Sequence, residues 1–257
     1  MNHEHKGGYV KAESHGGITT IEFFHPQGNS LPTTMLEELT ACIHGAGNEE
    51  ETLVIVLRSA GSKAFCAGAS FDELLAITNE QEGLQFFSGF AHLINAMRKC
   101  PKLIIARVQG KCVGGGVGLA AAADYAIAVE GADIRLSELA VGIGPFVVGP
   151  AVERKMGLSA FNSLAIDASA WRNADWARKR GLYAELHATV EYMDESIGRL
   201  AGNLSHAHPG AMAEIKKMLW AGTGHWDHLL PERAAISGRL VLSDFTRRAI
   251  HSFRKTS

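Results

Sequence analysis

No Cys-x-x-Cys pair occurs among the four cysteines, Cys42, Cys66, Cys100 and Cys112. A chain of this length needs no disulfide staples, so we expect reduced thiols and a cytoplasmic setting. The twelve histidines are dispersed, and neither His-Glu-x-x-His nor His-x-x-Glu-His spacing is present. No metal is therefore expected. Charge of one sign is also missing. A formal net charge of −2 removes the electrostatic argument for nucleic acid or an anionic membrane surface. The longest apolar stretches, such as Gly115 to Ala123, are far short of a membrane span. Met1 to Lys6 has no apolar run and no Arg-rich amphipathic stretch, so neither a signal nor a transit peptide is expected. A Gly-x-Ser-x-Gly elbow and a recognisable Ser–His pairing are absent too, which counts against a serine peptidase.

What is present is an ordinary globular composition, 46% apolar and 20% charged over 257 residues. Tyr9 to Ala12 and Ile18 to Phe24 read as strands of a hairpin turning at His15-Gly16-Gly17. Leu31 to Ile43 has helical spacing, with Met35, Leu36, Leu39 and Ile43 on one face. Thr52 to Leu57, Leu103 to Val108 and Tyr125 to Val129 are apolar runs of the kind found in buried strands. Ile134 to Leu136 is a shorter one, and Glu80 to Arg98 an amphipathic helix. From Ala151 onward nearly everything reads as helix. The expectation is an α/β core over residues 1–200 and a helical region over 201–257, with no linker or clear internal repeat.

Two segments of small residues stand out, Phe65 to Ser70 and Gly114 to Leu119. Each follows a strand-like run and leads into a helix-compatible stretch. A helix start leaves N–H groups without intrahelical partners and carries partial positive charge. With almost no side chain in the way, a ligand oxygen can approach them closely. Two such starts facing each other would form an oxyanion hole from main chain alone. Close packing is the plainer reading of Gly114 to Gly118, but four glycines in five residues are costly for packing alone. The same stretch matches a dinucleotide fingerprint, with Glu138 20 residues after Gly118. That motif usually opens its domain, and it would leave the first segment unexplained.

Taken in order, these segments resemble the crotonase, or enoyl-CoA hydratase/isomerase, family. The resemblance covers roughly residues 9 to 255. It rests on His25-Pro26 with Asn29-Ser30-Leu31, Lys63 to Ala69, Val108 to Leu119, Asp124, Ser137-Glu138 and Ala174 to Leu182. It implies a spiral of β-β-α units, a C-terminal helical region that builds homotrimers or dimers of trimers, and an acyl-CoA substrate. It also implies that the N–H groups of Ala69 and Gly115 hold the thioester oxygen, and that Ala67 belongs to the strip receiving adenine and pantetheine. Gly68, Ser70, Gly114 and Gly118 are further candidate substrate contacts. Ser70 stands where the family commonly has Asp.

The family's hydratases carry two glutamates, one two residues after the triple glycine and one near Glu138. Here the first position is Gly118. Hydration needs a positioned water and a proton, tasks that two carboxylates divide well. One carboxylate suits moving a proton from one carbon of an acyl-CoA to another, which points to 3-enoyl to 2-enoyl isomerisation with Glu138 as acid and base. An apolar pocket from Leu136, Leu139, Val141 or their neighbours would raise its pKa. A hydratase with a substituted second acid, and a non-catalytic acyl-CoA binder, are the alternatives. Asp124 reads as structural, Cys66 and Cys112 as small buried residues, and the basic tail Arg247-Arg248 and Arg254-Lys255 as either a phosphate contact or a solvated helix end.

Overall fold

The computed structural model describes residues 3–5 and 7–256. The chain opens with β1 (His3–His5), β2 (Gly8–His15) and β3 (Ile18–Phe24), then α1 (Thr33–Asn48). Three turns of one plan follow. The first is β4 (Val54–Ser59), β5 (Ala64–Cys66), α2 (Phe71–Ala76) and α3 (Glu80–Lys99). The second is β6 (Leu103–Val108), β7 (Lys111–Val113) and α4 (Gly115–Ala122). The third is β8 (Tyr125–Val129), β9 (Ile134–Arg135), a 3-10 turn over Leu139–Val141 and α5 (Gly149–Met156). After these come α6 (Leu158–Ile166), α7 (Ala174–Lys179), β10 (Glu185–His187), α8 (Val190–Leu204), α9 (Pro209–Leu219), α10 (Trp226–Leu240) and α11 (Asp244–Thr256).

The long strand of each turn enters a seven-stranded sheet ordered β1-β2-β3-β4-β6-β8-β10, and the short strand enters a second sheet ordered β5-β7-β9. Within both sheets the strands of successive turns are parallel. This is the crotonase-like spiral of β-β-α units, followed by helices. The long strands are buried on both faces, as their unbroken apolar runs require: the adjacent pairs Ile55 and Val56, Ile104 and Ile105, and Ala126 and Ile127 are all buried.

Local chemistry explains where the elements differ from sequence expectation. The first helix begins at Thr33 instead of Leu31, because Leu31 donates to Gly68 O and accepts from Ser70 N–H in a bridge to the Ala69 segment. The short strands β5 and β7 are too brief to show a period. β10 interrupts the expected helical region and pairs with β8. Residues 200 and 201 lie inside α8, so the expected core and helical region are joined by a continuous helix. The tail residues Arg254 and Lys255 lie outside the described side chains. No helix among the described residues is long and apolar enough to cross a membrane.

Asp124 ties the C-terminal helices to the sheet. It accepts from Ile104 N–H at 2.8 Å, Trp220 Nε1 at 2.8 Å and Lys216 Nζ at 2.6 Å. Lys155 Nζ donates to the carbonyls of Ala123 and Asp124 beside it. This buried ion pair holds α9 against the start of β6, the structural role expected of Asp124.

Candidate active site

The three short strands deliver the site. Ala67-Gly68-Ala69 follows β5, Gly114-Gly115 follows β7, and Ser137-Glu138 stands two residues beyond β9. Because β5, β7 and β9 are parallel neighbours, all three segments emerge side by side at the carboxyl ends of one small sheet, where open α/β sheets place ligands. They line one cavity of about 80 Å³.

Two residues that line it, Ala69 and Gly115, bring backbone N–H groups that their own segments leave unused. Gly68 O and Ser70 N–H are both used against Leu31, so alternation along an extended chain turns the intervening Ala69 N–H the other way, toward the cavity it lines. Gly115 is the first residue of α4, and its N–H has no intrahelical acceptor. A Cβ built on Gly68 would lie 3.4 Å from Gly115 N, which brings the two segments into direct contact. Gly68 and Gly114 have φ values of 90° and 52°, a region that side-chain-bearing residues rarely adopt.

The other glycines are explained by packing. A methyl on Gly115 would overlap the Phe90 ring, and one on Gly116 would overlap the Cys66 carbonyl. On Gly118 it would lie 2.5 Å from Val148 Cγ1. The close-packing reading of this stretch therefore holds alongside the functional one. The position that would carry a second glutamate is occupied in space by Val148, and the fold leaves no room for that acid.

Among the described residues, Glu138 is the only ionisable side chain lining the cavity. Its Oε2 is buried and has no hydrogen-bond partner. Its Oε1 would sit 3.0 Å from a Cβ on Gly114, so the carboxyl lies against the start of α4. Burial raises its pKa from 4.5 to about 7. The apolar wall differs from the expected one. Val141 contributes, but Leu136 does not line the cavity and Leu139 is half exposed. Phe87 and Phe90 from α3, Ile143, Phe146 and Val148 take their place. The Phe87–Phe90 spacing on one helix face was the sequence signal for this wall, read there only as amphipathic pattern. Ser237 of α10 also lines the cavity and has no sequence signature.

Among the candidate contacts, Ala67, Gly68 and Gly114 line the cavity, whereas Ser70 and Gly118 do not. Ser70 caps α2, accepting from Glu73 N–H at 3.4 Å, and Gly118 packs under Val148. Cys66 and Cys112 are buried, and burial pushes the Cys66 thiol up to about 12 and the Cys112 thiol up as well, which leaves both inert.

Raised ionisation has a cost in stability. In the unfolded chain Glu138 ionises near pH 4.5, whereas in the folded protein it stays protonated until about pH 7. The native state binds the extra proton between those values, so stability falls as pH rises through this window and is level above it. At pH 8 the cost is about 3 kcal/mol. Replacing Glu138 by Gln removes that titration. Thermal melts should show Glu138→Gln gaining several degrees on the wild type between pH 5 and pH 8, and a gap that is the same at both pH values would contradict the buried carboxyl.

A family model described as enoyl-CoA hydratase/isomerase matches residues 13–240. A probable enoyl-CoA hydratase of Rhodobacter capsulatus is 28% identical over 90% of this chain and 87% of its own length. The mitochondrial 3-hydroxyisobutyryl-CoA hydrolase of Bos taurus is 31% identical over 61% of this chain, but the match takes in only 42% of the hydrolase. Among solved structures, an enoyl-CoA hydratase from Bacillus halodurans superposes with a TM-score of 0.86 at 20% identity, covering 95% of this chain and 99% of that one. An enoyl-CoA hydratase/isomerase from Xanthobacter autotrophicus gives 0.85 at 22% identity, covering 96% and 93%. At these identities the structural likeness speaks for the fold.

Proposed function

Because this chain belongs to the enoyl-CoA hydratase/isomerase family, we propose that it converts 3-enoyl-CoA thioesters into 2-enoyl-CoA thioesters, with Glu138 as the single acid and base. The observation that carries this reading is one buried carboxyl in an apolar cavity, its Oε2 without a hydrogen-bond partner, with the space for a second filled by Val148. The ionised Glu138 takes a proton from C2 of the acyl group. The N–H groups of Ala69 and Gly115 stabilise the charge that moves onto the thioester oxygen. The same carboxyl then returns the proton to C4. A pKa near 7 suits a group that must both accept and donate at neutral pH. Coenzyme A is part of the substrate, and no further cofactor enters the scheme.

Hydration is the second reading, favoured by the name of the Rhodobacter relative and by the Ser137 and Ser237 residues that line the cavity. Initial rates on 3-enoyl and 2-enoyl thioesters of equal length, measured side by side, separate the two. Isomerisation predicts gain of the conjugated 2-enoyl absorbance from the first substrate and little loss from the second. Faster loss from the second would favour hydration, and tight binding with neither rate would make the protein an acyl-CoA binder.

The same reading includes a cytoplasmic setting, which the four free cysteines suit, and a homotrimer or a dimer of trimers. Leu158 and Ile166 on α6 and Met218 on α9 are more than half exposed in the single chain. Burying them between protomers removes apolar surface from water. Light scattering at micromolar concentration should give three or six times the chain mass, and a monomer would overturn the assembly.

A further inference from the structure

Phe146 sits between two cavities. It lines the 80 Å³ active-site cavity and also a neighbouring one of about 250 Å³, and among the described residues only Pro145 shares that property. The smaller cavity is below the about 150 Å³ that accommodates a benzene molecule in an apolar protein interior. Beyond a thioester carbonyl it has room for only a few carbons. The larger cavity has an apolar floor made by Gly149, Pro150, Phe161 and Ala165, with Glu153 and Arg233 also lining it.

The ring is held in the dividing position by a glycine. A Cβ at residue 144 would overlap Phe146 Cζ and lie 2.6 Å from Cε2, so the ring folds back onto the backbone at Gly144. That placement is possible because residue 144 has no side chain. The ring is also the end of a side chain that turns about two bonds, so a substitution can shift it by a change of rotamer.

We propose that Phe146 is the residue that sets acyl-chain length, closing the active-site cavity to all but short acyl thioesters and walling off the neighbouring cavity from them. The proposal rests on the acyl-CoA reading above. Two substitutions open the wall by different routes. Phe146→Ala removes the ring. Gly144→Ala keeps it but displaces it from its seat. In either variant the distal carbons of a longer chain reach the second cavity. Each methylene that gains an apolar wall is worth about fourfold in affinity, and several act together.

The test measures dissociation constants of two saturated, unreactive esters, butyryl-CoA and decanoyl-CoA, for the wild type and both variants by titration calorimetry. The informative quantity is the decanoyl-to-butyryl ratio within each protein, because general damage to the site moves both ligands together. Wild type should favour butyryl-CoA, and the ratio should shift toward decanoyl-CoA by about tenfold or more in both variants. If Phe146→Ala does not fold, Phe146→Leu carries the same test with less volume removed. An unchanged ratio in proteins that bind the short ester overturns the role of Phe146 and leaves the proposed function standing. Failure of the wild type to bind either ester overturns the acyl-CoA reading and this proposal together.

Discussion

Glu138→Gln should lower turnover of a 3-enoyl thioester by at least about 100-fold while acyl-CoA affinity stays close to wild type. The amide keeps the shape of the carboxyl and loses its ability to take a proton. The backbone donors and the coenzyme contacts are untouched, so the loss should fall on kcat and not on binding. Among the described residues no other ionisable side chain lines the cavity to take over. In the wild type, kcat/KM should rise with pH through about 7 and then level, because the working form of the free enzyme is the ionised carboxylate. Full isomerase activity in the variant would assign the chemistry elsewhere. Together with the melts described above, this gives one substitution two opposite effects. It removes activity and stabilises the fold at pH 8, as expected when a site holds an acid that the surrounding core disfavours.

The second large effect is expected at Gly115. Both Gly115→Ala and Gly115→Pro put a Cβ into the Phe90 ring. Only proline also removes the N–H. At the first position of a helix proline is otherwise well tolerated, since that N–H has no helical acceptor. The difference between the two variants therefore isolates the donor. Loss of kcat/KM in the proline variant should exceed that in the alanine variant by about 10²–10³-fold. Equal losses would reduce Gly115 to a packing residue and leave Ala69 without its counterpart.

Much of this site was legible in the sequence because its parts are main chain. Positions that must be small leave a visible run of glycine and alanine, and Ala67 to Ala69 and Gly114 to Gly116 announced themselves that way. The long strands were equally plain, since burial on both faces writes an unbroken apolar run, and Leu103 to Val108 and Tyr125 to Val129 have the bounds read from sequence. Of the short strands only β9 was legible, as Ile134 to Leu136. Three residues carry no period, so β5 and β7 emerged only in three dimensions, and the β-β-α plan that aligns the site segments was expected from the resemblance alone. The pocket wall was hidden for another reason. Phe90, Phe146 and Val148 are ordinary apolar residues whose role depends on which glycine each one packs against. Leu139 was assigned to the pocket by proximity to Glu138 along the chain, but a 3-10 turn carries it out toward solvent. Ser70 looked like a ligand contact because it follows Ala69, and its hydroxyl is used instead to start α2.

The central claim is that one carboxyl moves a proton between two carbons and that water is not added. Its most direct test is a nuclear magnetic resonance time course of the wild-type protein with a short 3-enoyl-CoA thioester as the sole substrate. The account predicts that the signals of the 3-enoyl chain give way to those of the 2-enoyl isomer, with no 3-hydroxyacyl signal growing on the same timescale. Accumulation of the 3-hydroxyacyl thioester at a comparable rate would contradict it, and would mean that a water is activated in the cavity despite the missing second acid.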